Sequence, residues 1–279
     1  MQPEQLQEHI RLTYFSLRGG LGLLAFLFPV LLVGIGYFVE GIPSKDQLSA
    51  YYFAFEPSSL RQFPLRGLFI GILWAIGCFL ILYRGFSNTE NRLLNVAGFC
   101  ALAVAIFPMY AEENCKICGT DALSVFHKPA AFILFICMAL VAWACSGETL
   151  DELKKTNEQK APEVVRWWEK EDNFRTAYYW IAALMIAAPV MAYILYKFNI
   201  YDKWTLFVEW VGIWAFSFYW LLKSYELYLS DADKKAMKGE MKTPDKAPAQ
   251  TVPQPVQTIS ERARMFPEDV RKKVSRFLD

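Results

Sequence analysis

Histidine is nearly missing from this chain: 279 residues include only His9 and His127. That shortage excludes bis-histidine metal sites and paired-histidine haem ligation, and no His-Glu-x-x-His spacing is present. No Gly-rich loop precedes a strand and no P-loop occurs, so the sequence offers no nucleotide phosphate cradle. An excess of one charge sign is missing too. Lys and Arg number 29 against 28 Asp and Glu, a net charge of +1, which leaves no electrostatic footprint for a nucleic-acid partner. Period-2 alternation is absent from the apolar runs, which excludes membrane barrel strands. There is no internal repeat. The opening stretch MQPEQLQEHIRLTYFSLR is too polar and too long to read as a cleaved signal peptide, and no small-residue cleavage site follows it.

What the chain has in abundance is apolar surface. Hydrophobic residues make up 54% and aromatics 16%, more than a soluble domain needs. The mean hydropathy is +0.20 despite a polar tail, so the apolar residues are concentrated in blocks. Six blocks approach the roughly 20 residues that span a bilayer at 1.5 Å each: 19–39, 67–83, 93–111, 129–147, 176–196 and 204–222. The first five carry no charge, and the sixth carries only Glu209. In lipid every backbone group must be satisfied within its own segment, so these blocks read as helices. The expected fold is an all-α, polytopic six-helix transmembrane bundle covering 19–224, preceded by a cytoplasmic segment 1–18.

Lys and Arg in the short connections set the orientation. Arg11, Arg18, Arg84, Arg92 and the run from Lys154 to Arg175 favour one side, with Lys45, Arg61, Arg66, Lys116, Lys128, Lys197 and Lys203 on the other. Both termini are therefore expected in the cytoplasm, with the chain in a bacterial inner membrane. Within the 148–175 connection, Trp167 and Trp168 fit an amphipathic helix at headgroup depth. From Ser230 the chain turns Lys-, Pro- and Gln-rich and reads as a disordered linker, within a cytoplasmic tail 225–279. In its last part, 258–279, Val270, Val274, Phe277 and Leu278 share a helical face flanked by Arg271, Lys272, Lys273 and Arg276. This is either a solvated terminus or a contact for anionic lipid or a protein partner.

With this threading, polar residues converge near the outer surface. Ser49, Tyr51 and Tyr52 fall in the 40–66 loop, and Arg66 at the outer end of the second helix. Tyr110, Glu112 and Glu113 follow the third helix, His127 and Lys128 open the fourth, and Trp204 and Glu209 begin the sixth. An acid inside a spanning helix faces a partner or a water-filled cavity, and Arg66, Lys128 or His127 are the expected partners of Glu209. Each residue also has a plain structural reading: Glu209 as a packing ion pair, His127 as a headgroup-level helix start, the tyrosines as an aromatic belt.

Four of the six cysteines, Cys78, Cys100, Cys137 and Cys145, lie in apolar runs and behave as small hydrophobes. Cys115 and Cys118 form a C-x-x-C in a polar loop, which reads as a local disulfide in an oxidising outer compartment. The competing arrangements are a metal site with His127 and Glu112 or Asp121, a redox pair, and free thiols.

The segments Leu48-Ser-Ala-Tyr-Tyr52, Arg66-Gly-Leu-Phe-Ile-Gly-Ile-Leu-Trp-Ala-Ile-Gly77, Phe107-Pro108, His127 and Glu209-Trp-Val-Gly-Ile-Trp-Ala-Phe216 together resemble a family of bacterial multi-helix membrane proteins. That group is in turn similar to ceramidase-like membrane hydrolases, which use Ser, His and Asp side chains around zinc. Phe53 and Gly67 stand where the group carries His and Asp, so the resemblance leaves Ser49 and His127 and an incomplete zinc set.

The leading expectation is a binding or sensory module without a cofactor. Ser49, Tyr52, Arg66, His127, Lys128 and Glu209 would line an outward-facing pocket for a lipid headgroup, a small polar ligand or a partner subunit. Arg66 and Lys128 would supply charge for an anionic group. The alternative is a lipid hydrolase with His127 as base and Glu209 as its orienting acid. A small transporter or channel is third, since paired broken helices are absent.

Overall fold

The structure, a computed structural model, describes residues 3–53, 65–107, 124–161, 163–198 and 204–241. Among them every regular element is helical. The long helices are α1 (Pro3–Phe38), α2 (Leu65–Leu82), α3 (Asn88–Ile106), α4 (His127–Ala144), α6 (Glu171–Lys197) and α7 (Trp204–Ser230). Two shorter ones, α5 (Gly147–Glu158) and α8 (Ala232–Met237), lie between or after them. All of these elements belong to one compact unit, Met1–Thr243.

Among the described residues, five helical stretches are long and apolar enough to cross a membrane: Glu4–Phe38, Leu65–Leu82, His127–Glu158, Glu171–Leu195 and Thr205–Ser230. They are compatible with a multi-pass membrane protein. The expected span 93–111 is the exception. Its helix, α3, is 19 residues long and opens with Asn-Thr-Glu-Asn-Arg, so any bilayer-length window inside it takes in polar side chains. The rest of that apolar run, beyond Phe107, lies outside the described residues.

The six long helices close into a ring. Each packs on the next in the order α1, α2, α3, α4, α6, α7, and α7 returns to α1. Small residues set the closest approaches, as is general where lipid supplies no hydrophobic drive between helices. At the α2–α3 crossing, a Cβ on Gly98 would stand 2.7 Å from the Gly77 carbonyl oxygen, so only glycine lets these backbones come together. The α1–α7 seam is polar and aromatic. Ser217 Oγ donates to the Gly22 carbonyl at 2.7 Å, Trp214 Nε1 donates to the Phe26 carbonyl at 3.1 Å, and the Phe26 and Trp214 rings stack at 4.9 Å.

Three expectations about the polar segments change. Residues 3–18 of the N-terminal segment are helical and continuous with the first apolar run, because α1 runs unbroken for 36 residues from Pro3. Trp167 and Trp168 sit in a short 3-10 segment, Trp167–Glu169, with Arg166 5.3 Å from the Trp168 ring; the α-helical parts of the 148–175 connection are α5 and the first turn of α6. Nor does disorder begin at Ser230. Asp231, with φ 51° in the left-handed region that Asp tolerates, reverses the chain so that α8 lies on α1, α5 and α7. Residues 242–279, including the expected helix at 258–279, lie outside the described residues.

Candidate functional site

The ring encloses a cavity of about 240 Å³ that draws wall residues from all six long helices. Its shaft is apolar, with Ala25, Phe69, Val104, Leu134, Ala188 and Phe216 each from a different helix. Its mouth is polar: Gln47, Ser49, His127, Lys128, Thr205 and Glu209. A cavity built this way is shaped for a molecule with an apolar body and a polar end.

A short 3-10 segment, Leu48–Phe53, covers the mouth. Tyr51 anchors it. Fully buried, its ring lies where a Cβ on Gly36 would come within 2.8 Å, so the glycine makes the seat for the ring. Burial pushes the Tyr51 phenol above the ordinary tyrosine range, and its oxygen accepts the Lys45 N–H at 3.4 Å. A second anchor comes from α7: Glu209 Oε2 accepts the Leu48 N–H at 2.7 Å. The one acid of the sixth apolar run is thus bonded to the backbone of the covering segment. Lys128, one of its expected partners, acts on it electrostatically.

His127 opens α4 and is buried. Its Nδ1 lies 2.7 Å from the Phe107 carbonyl oxygen. A carbonyl can only accept, so Nδ1 carries the proton, and in the neutral ring Nε2 is the basic nitrogen. The same bond ties the start of α4 to the end of α3, satisfying a carbonyl at a helix terminus.

Of the six expected pocket residues, Ser49, His127, Lys128 and Glu209 line the cavity together. Tyr52 and Arg66 do not. Arg66 donates from Nε to the Tyr52 carbonyl at 3.0 Å and lies over the Tyr52 and Phe53 rings, at 4.7 and 5.8 Å. The guanidinium therefore braces the covering segment from outside. Its planar face finds two aromatic rings close at hand in the segment that precedes α2. Tyr110, Glu112, Glu113, Cys115, Cys118 and Asp121 lie outside the described residues, and the expected disulfide falls there. Cys78, Cys100, Cys137 and Cys145 are free thiols.

A second polar cluster, at the other end of the ring, was not foreseen. Lys223 and Glu226 are both buried on α7, with Nζ and Oε2 3.2 Å apart. Lys223 also donates to Thr149 Oγ1 of α5 at 2.5 Å, and Tyr178 of α6 donates its hydroxyl to Glu226 Oε2 at 2.5 Å. Beside them, buried Arg18 of α1 holds Asp233 of α8 through two hydrogen bonds, at 2.5 and 3.1 Å. Glu90, also buried, accepts the Phe86 N–H at 2.7 Å while Ser87 Oγ caps the Glu90 N–H at 3.1 Å, a capping arrangement at the start of α3. Ending the last span at Leu222 hid this cluster. The apolar periodicity does continue through Tyr225, Leu227 and Leu229, and α7 keeps turning to Ser230.

No family model, curated protein or solved structure matches this chain.

Proposed function

We propose that this chain is a six-span inner-membrane protein, with both termini cytoplasmic, that binds a membrane lipid in an outward-facing pocket without transforming it. One observation carries the reading: an apolar shaft inside the ring ends in a polar mouth holding Glu209, Lys128, His127 and Ser49. A small polar ligand has no use for the shaft. A partner subunit would meet the surface of the 48–53 segment, and the shaft behind it would again go unused.

The sixth span of this proposal is α3. It fills a place in the ring between α2 and α4, and its Val104 belongs to the cavity wall. The orientation rests on the distribution of Lys and Arg, which favours the Arg18 end inside and the His127 end outside.

The test is retention of lipid. Purified in mild detergent, the wild type should carry about one lipid per chain in native mass spectra. Ala131→Trp, which fills the shaft from α4, should strip that lipid with the thermal midpoint little changed. A wild-type protein free of lipid, or a variant that keeps it, would count against the pocket.

The hydrolase reading keeps one supporting feature, the Phe107 contact that leaves His127 Nε2 as the basic nitrogen at the cavity wall. It requires turnover. If lipid ester or amide bonds are cleaved by the wild type and not by His127→Gln, the binding-only reading gives way.

A further inference from the structure

The pocket proposed above has a mouth with two opposite charges and a shaft of measurable length, and together these select among lipids. Along α7 the wall residues run from Thr205 to Phe216, eleven steps, or about 16 Å at 1.5 Å per residue. Half of a typical hydrocarbon core is about 15 Å. A cavity of that depth, polar at one end, takes one acyl chain from one leaflet with its headgroup at the mouth.

The mouth distinguishes headgroups by charge. Lys128 presents an ammonium, a point charge suited to phosphate. Glu209, four to five residues along α7 from the helix start, presents a carboxylate that faces the same space. A purely anionic headgroup would meet Lys128 favourably and Glu209 unfavourably. Like charge beside a partly buried carboxylate is costly at low local dielectric. A zwitterion meets both. Among zwitterions, a primary ammonium offers N–H donors to the carboxylate and to Ser49 and Gln47, whereas a quaternary ammonium offers none.

Tyr193 of α6 lines the cavity and is 60% exposed. Pro189, one turn earlier on the same helix, also lines it and removes a backbone hydrogen bond there.

We infer, on the basis of the lipid-binding reading, that the occupant is a zwitterionic phospholipid with a primary amine headgroup, its phosphate at Lys128, its ammonium at Glu209 and one acyl chain in the shaft. The experiment loads full-length protein in mild detergent with phosphatidylethanolamine, its mono- and dimethylated forms, phosphatidylcholine and phosphatidylglycerol, all with identical acyl chains. Retention is read by native mass spectrometry. Retention should fall with each added methyl, by about tenfold across the series, the weight of one charge-assisted hydrogen bond. It should also favour phosphatidylethanolamine over phosphatidylglycerol. Glu209→Gln should flatten the methyl series, and Lys128→Ala should lower retention of every lipid in it. The methyl series needs only the wild type, so it decides even if a variant fails to fold. Equal retention of all five lipids, or a preference for phosphatidylglycerol, overturns the headgroup assignment and leaves the pocket standing. No retention of any lipid overturns both.

Discussion

At the His127 end of the ring, ionisable side chains surround a space; at the Glu226 end, side chains of the same kinds are packed into one another. Lys128 and Glu209 face a cavity. Lys223 and Glu226, by contrast, are bonded to each other and to Thr149 and Tyr178, with almost no exposed surface. A charge inside a membrane-spanning helix is unfavourable unless it finds a partner or water. At one end the charged side chains are bonded to each other and to side chains of α5 and α6, and at the other they line a cavity. On the proposed reading the difference separates a structural use of buried charge from a binding use, and counting charges alone would not reveal it.

The contrast breaks most visibly at the paired end. Lys223→Ala leaves the Glu226 carboxylate buried without its cation, and removing one partner of a buried pair costs about 3–5 kcal/mol. In a marginally stable protein that loss should appear as a much lower denaturation midpoint in detergent, or as failure to accumulate in the membrane. Replacing both residues, Lys223→Met with Glu226→Leu, should restore most of the stability. If the single and double variants behave alike, the pair is not a coupled unit.

A smaller effect is expected where the cluster reaches the surface. Arg18 holds Asp233 of α8, and the neighbouring contacts Lys234–Glu8 at 2.7 Å and Lys235–Glu152 at 3.0 Å hold the same short helix to α1 and α5. Arg18→Ala should cost about 1–3 kcal/mol, because Asp233 can turn towards water. The sharper readout is local: faster hydrogen exchange and tryptic cleavage at Lys234 and Lys235, with the ring unchanged. Unaltered cleavage would mean that α8 is held by the outer ion pairs alone.

The smallest effect belongs to the open end. Arg66→Ala removes an exposed contact with the Tyr52 and Phe53 rings and the Tyr52 carbonyl, worth about 0.5–1 kcal/mol. The thermal midpoint should move little, and the lipid preference should persist, since Arg66 lies outside the cavity lining. A large loss of lipid on this substitution would place Arg66 back among the pocket residues.

Much of this organisation was legible in the primary structure. Long apolar runs bounded by Lys and Arg can only be helices in lipid, so five candidate spans fall close to where the runs lie. The convergence of Ser49, His127, Lys128 and Glu209 was legible for a related reason: His127 and Lys128 adjoin the start of one run, Glu209 lies one turn into another, and Ser49 falls in the loop on the same side, so helix length brings them to a similar depth. Arg66 and Tyr52 share that depth yet point elsewhere, because depth says nothing of the angle around a helix axis. The Lys223–Glu226 cluster escaped for the opposite reason. A charge just past an apolar run looks solvated, and only the packing of α5, α6 and α8 around the end of α7 shows that it is not.

The amino-acid sequence alone determined that the chain is helical, that it carries membrane-length apolar segments, and roughly which residues stand at each end, because hydropathy and chain length act locally. Only the tertiary structure decided the order of helices around the ring, the cavity within it, and which charges are packed into one another and which line the cavity. Those outcomes depend on contacts between residues far apart in the chain, set by glycine-sized gaps and side-chain direction that no single segment encodes.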